Sequence, residues 1–119
     1  MFVLDSHCDT PSQIHRLRDL SVDNHHAHVD FPKLKRGGVD GAFFALYVPG
    51  AKDTEEAFRY ACDLLEGVER SVAENLDLAS FAVNASDAMN NKAKGVFSVF
   101  LGLENGSPIG NDLSRLKYF

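Results

Sequence analysis

The sequence predicts a parallel α/β architecture, and three observations carry that prediction. Residues 39–48 and 96–103 are apolar almost throughout and are bounded by glycine or proline, the pattern of strands buried on both faces. Between them, residues 53–76 carry the strongest helical periodicity of the chain. The order along the chain is then strand, helix, strand, helix, strand, helix, which is how parallel sheets are assembled.

Each element has its own warrant. Phe2, Val3 and Leu4 form a short apolar run followed at once by Asp5-Ser6-His7-Cys8-Asp9, which reads as a strand running into a polar loop. A short helix is expected over residues 12–20, followed by the histidine tract His25, His26 and His28. Pro32 suits a first helical position and opens a short helix through Lys35, ended by Gly37-Gly38. In the long helix Asp53 is the expected cap, with Glu56 three residues on. Ala57, Ala61, Leu64, Val68 and Val72 recur at helical spacing and form one apolar stripe. Residues 78–83 read as a short extended stretch, and Ser86 as the cap of a helix ending by Lys94. Gly110-Asn111-Asp112 leads into a final helix.

Composition excludes several classes. With 119 residues, 45% hydrophobic and 24% charged, the chain is neither disordered nor of low complexity. The net charge of −5 and scattered basic residues give no footprint for nucleic acid or an anionic membrane. The densest basic group, Lys33, Lys35 and Arg36, reads as a solvated loop. Cys8 and Cys62 are too few for a disulfide scaffold and are expected as reduced thiols. Residues 1–5 lack the basic start of a signal peptide, and no apolar run reaches the ~20 residues of a membrane span, so a cytoplasmic location is expected. The glycosylation patterns at Asn84 and Asn105 then read as chance matches.

The chemistry concentrates at strand ends. In an extended chain Asp5, His7 and Asp9 share a face, and His7 and Asp9 offer an imidazole nitrogen and a carboxylate, both good zinc donors. They lie just past a buried strand, where parallel α/β folds place their sites. His28-Val29-Asp30 repeats the pattern with no strand before it, so the pair alone is weak. Glu104 adds weight. Along its strand Ser98, Phe100, Gly102 and Glu104 share one face, while Phe97, Val99, Leu101 and Leu103 form a uniformly apolar opposite face. A carboxylate at a buried strand's end is costly unless paired or bound to a cation. The histidine tract has donors for a metal but reads first as a solvated loop, Cys8 as a buried thiol turned away from its neighbours, and Cys62 as part of the long helix.

These same residues carry a family likeness. Asp5-Ser6-His7-Cys8-Asp9-Thr10-Pro11 resembles the Asp-x-His-x-Asp-x-Pro opening of the renal (membrane) dipeptidase family. Residues 30–39, residues 42–49 and Gly102-Leu103-Glu104-Asn105-Gly106 are similar to three further family segments, in the family's order. The resemblance implies a TIM-type (β/α)8 barrel, of which residues 1–119 are the N-terminal part, with three of eight strand–helix units. It implies two zinc ions and dipeptide hydrolysis by a metal-activated water, with His7 and Asp9 on one zinc and Glu104 bridging to the second. The histidines of the second zinc, a substrate-binding histidine, an arginine for the substrate carboxylate and an acid/base aspartate belong to later strands. Ser107-Pro108 departs from the His-Ser of some members. The resemblance thus implies a chain inactive alone, associating through exposed strand edges. The alternatives are a non-catalytic scaffold, or a related amide hydrolase with another substrate.

Overall fold

A computed structural model describes residues 1–14, 19–50 and 53–119. Its strands are β1 (Leu4–Cys8), β2 (Gly41–Tyr47), β3 (Ala79–Phe81) and β4 (Phe97–Glu104). Its helices are α1 (Pro11–Ile14), α2 (Phe31–Arg36), α3 (Thr54–Ala73) and α4 (Ala85–Ala93), followed by a 3-10 helix over Leu113–Tyr118. All strand pairings are parallel, in the order β1-β2-β4-β3. The predicted α/β alternation is present, and residues 78–83 contribute the short fourth strand. β3 lies outside β4 and pairs with its first half, from Ala79 opposite Phe97 to Phe81 opposite Val99. The sheet stays open, with β1 and β3 at its edges.

The two faces of the sheet differ as their side chains do. Ala42, Phe44 and Leu46 stand in register with Val99, Leu101 and Leu103 and carry the face that packs into the main core. Ala57, Ala61, Leu64, Val68 and Val72, the predicted α3 stripe, are all buried. Asp53 caps α3 as expected, accepting from the Glu56 backbone N–H at 2.8 Å. On the other face Phe43, Ala45 and Tyr47 stand in register with Phe100, Gly102 and Glu104. Phe43 is 37% exposed and Tyr47 41%, so residues 39–48 are not buried on both faces as predicted. Among the described residues no helix covers this second face, and its aromatics stack on each other, Phe43 on Phe100 at 4.9 Å.

Other details also differ from expectation. Asn84, not Ser86, caps α4, because its extended backbone aims its side chain at the Asp87 N–H, 2.9 Å away. The final helix is of the 3-10 type, capped by Asp112. Of the helix predicted over residues 12–20, the part up to Ile14 is present as α1, and residues 15–18 lie outside the described residues. Cys8 and Cys62 are free thiols. No helix among the described residues is long and apolar enough to cross a membrane.

Candidate metal centre

The site forms over the C-terminal ends of β1, β2 and β4. β1 and β4 both flank β2, so their backbones stand roughly 10 Å apart at two strand spacings. Long side chains from both strands meet above Ala45 of β2, with Gly102 opposite it on β4. These two small residues leave a recess of about 360 Å3 lined by His7, Phe43, Ala45, Gly102, Glu104 and Asn105, among others.

β1 does not run with unbroken alternation. Its register against β2 slips between Asp5 and Cys8, a bulge-like irregularity of the kind that re-aims side chains near functional sites. Cys8 pairs with Phe44 and is buried, as expected, with its Sγ 3.2 Å from the Thr10 hydroxyl. The Asp5 carboxylate accepts from the His7 backbone N–H at 3.1 Å. The turn into α1 is held by Ser12, which donates its backbone N–H (3.1 Å) and hydroxyl (2.8 Å) to the Asp9 carbonyl. That leaves the Asp9 carboxylate facing outward, with its side chain 63% exposed.

His7, Asp9 and Glu104 come together as the sequence predicted. The His7 Nε2 lies 3.4 Å from Asp9 Oδ1 and 3.3 Å from Glu104 Oε2. Among the described residues these three form a group whose donor atoms all lie within 4.8 Å of one another. Both contacts are longer than the 2.7–2.9 Å typical of a charge-assisted hydrogen bond. Glu104 Oε2 is buried and has no hydrogen-bond partner among the described residues, despite its closeness to the imidazole. The distance and the missing hydrogen bond agree: the nitrogen lies near the oxygen without the alignment of a donor aimed at it. Donors on a tetrahedral zinc with bonds of about 2.0–2.1 Å stand about 3.3 Å apart; the two contacts of His7 Nε2 match that spacing, and the Asp9 and Glu104 donors lie within 4.8 Å of each other. The orphaned oxygen and the donor chemistry therefore fit a zinc ion.

The second His-x-Asp pair goes elsewhere. Asp30 is completely buried and caps α2, accepting from the Lys33 N–H at 2.8 Å and the Asn24 N–H at 3.1 Å, with the Lys33 ammonium beside it. Burial pushes its carboxyl up, but the Lys33 side chain and the two backbone N–H bonds outweigh that and hold it below the ordinary 3.8. His25, His26 and His28 are exposed, as expected. Their loop nevertheless borders the site, because His26 and His28 line one cleft of about 690 Å3 with Asp5, His7 and Asp9. Spacing along the chain does not place the loop there, since Asp30 and Lys33 anchor it at Asn24.

The comparisons with known proteins bear on the family and the fold. The family model for membrane dipeptidases, peptidase family M19, matches residues 1–119. Dipeptidase ataJ of Aspergillus terreus is 27% identical over 109 residues, covering 85% of this chain and 26% of that protein. Dipeptidase AC, a metallopeptidase of family M19, superposes with a TM-score of 0.86 at 24% identity, over 98% of this chain and 39% of that one. A metallopeptidase from Rhodobacter sphaeroides, liganded with a phosphinate mimic of the dipeptide L-Ala-D-Ala, gives 0.85 at 21% identity, over 98% and 42%. The structural likeness supports the predicted fold, and the chain spans less than half the length of each of these relatives. With the family model matching its whole length, this chain belongs to the membrane dipeptidase family, peptidase family M19.

Proposed function

We propose that the chain supplies the first half of a zinc site that hydrolyses dipeptides. His7, Asp9 and Glu104 would hold the metal, and Glu104, with two carboxylate oxygens, would have one to offer a second ion. The observation that carries this reading is the buried Glu104 Oε2, without a hydrogen-bond partner and 3.3 Å from His7 Nε2. An uncompensated buried carboxylate oxygen is costly, and a cation supplies the missing partner. When bound, zinc acts as a Lewis acid that polarises a carbonyl and lowers the pKa of a water.

The chain's own residues prepare the site. The bulge in β1 aims His7 over Ala45, and Ser12 fixes the turn that presents Asp9. The Phe43–Phe100 stack lies farther down the same face of the sheet, and Phe43 lines the recess together with Glu104. The cleft bordered by His26 and His28 is the place for the substrate. That the substrate is a dipeptide rests on the family and on the dipeptide mimic bound by the Rhodobacter sphaeroides relative. The remaining donors and the acid/base groups come from outside these residues, so the chain alone is expected to be inactive.

The test is Glu104→Gln, which keeps side-chain volume and removes the charge. Bound zinc, measured by metal analysis, is expected to fall, and dipeptide hydrolysis to stop. Unchanged zinc content and activity would overturn the assignment. A panel of dipeptides against N-acyl amino acids distinguishes this reading from an amide hydrolase with another substrate.

A further inference from the structure

Asn105, the residue after Glu104, has a job of its own. Its backbone is left-handed, with φ 70, where a side chain other than glycine's is uncommon. Tyr47 opposite Glu104 is the last register pair between β2 and β4. The left-handed turn carries the chain out of the sheet, so the backbone ladder stops there. The Asn105 side chain replaces the missing rung. Its Nδ2 donates to the carbonyl of buried Val48 at 3.1 Å, and its Oδ1 accepts from the Ser107 N–H at 3.0 Å. One side chain thus ties the end of β4 to the end of β2 and closes the following turn on itself.

We propose that Asn105 is a positioning residue that holds the Glu104 carboxylate in place for the metal, an inference that rests on the proposed zinc site. One Glu104 oxygen is buried without a hydrogen-bond partner while the side chain is 38% exposed, and with Asp9 close by the carboxylate gains by swinging out to water. The bond from Asn105 to Val48 fixes the strand end and so resists that swing. A glycine would accept the left-handed turn more readily, but it could not make the cross-strand bond.

The experiment compares the full chain with Asn105→Gly, Asn105→Asp and Glu104→Gln. Zinc(II) affinity is measured by chelator competition, the visible bands of bound cobalt(II) report ligand geometry, and the metal-free melting temperature reports the fold. Asn105→Gly keeps the backbone turn and loses both bonds. Asn105→Asp keeps the acceptor for Ser107 and loses the donor to Val48, while its added negative charge favours a cation. Both are expected to weaken zinc binding roughly tenfold, the low end for residues that orient metal ligands. Both are also expected to shift the cobalt bands, with metal-free melting close to that of the original chain. Original affinity and bands in either variant overturn the inference, and so does a loss of affinity that only tracks a fall in melting temperature. If Glu104→Gln binds zinc as tightly as the original chain, the metal site itself fails, whatever Asn105 does.

Discussion

His7-Cys8-Asp9 and His28-Val29-Asp30 carry the same residue pattern and have opposite fates. The first sits at the end of a strand, where the ladder has used the backbone groups and the side chains are left without assigned partners. Its carboxylate stays open, half of a group with Glu104 around the His7 ring. The second sits at a helix start, where orphan backbone N–H groups demand an acceptor. Asp30 answers that demand, is buried, and takes up Lys33 as well. The carboxylate of the first pair is free to bind a metal, and that of the second is spent on the fold. What separates them is which backbone groups nearby are unsatisfied, not which residues are present.

The largest expected effect breaks the symmetry through zinc. Asp9→Asn is expected to weaken zinc binding by more than about 100-fold, beyond the range for residues that merely orient ligands, while Asp30→Asn is expected to leave it within about twofold. Chelator competition on the two variants measures both. Equal losses would erase the distinction between the pairs.

Stability should reverse the ranking. Asp30→Ala removes a cap and strips a buried network of its acceptor, and is expected to cost about 2–3 kcal/mol. Asp9→Ala, at an exposed side chain, is expected to cost less than about 0.5 kcal/mol. Urea unfolding in the presence of a chelator measures the two without metal.

The smallest effect is in acid. Asp30 is held below its ordinary 3.8 in the folded chain. Its contribution is therefore fully present above the unfolded value and is lost as pH falls through the lower folded value. Asp30→Asn keeps the cap and removes the titration. The stability difference between the two chains is expected to shrink as pH drops below about 4. A difference that stays constant down through that range would show that the carboxylate charge plays no part.

Much of this is legible in the sequence. The apolar strands, the α3 stripe and its Asp53 cap follow from periodicity and from the needs of a helix start, and these are local matters. Glu104 could be found because alternation along one strand marks it as the charged end of a mixed face. The Asn84 cap was missed because Ser86 is nearly as good a candidate and only the backbone angle selects between them. Asn105 was missed because its partner, Val48, lies 57 residues away.

The sequence by itself determined the parallel α/β class, the apolar face of the sheet and the three candidate donors, because period and residue chemistry are written along the chain. Only the tertiary structure decided that β1 and β4 both flank β2, that the register of β1 slips between Asp5 and Cys8, and that the histidine loop borders the cleft. These depend on register between strands and on which polar groups find partners, and both are settled only when distant segments pack.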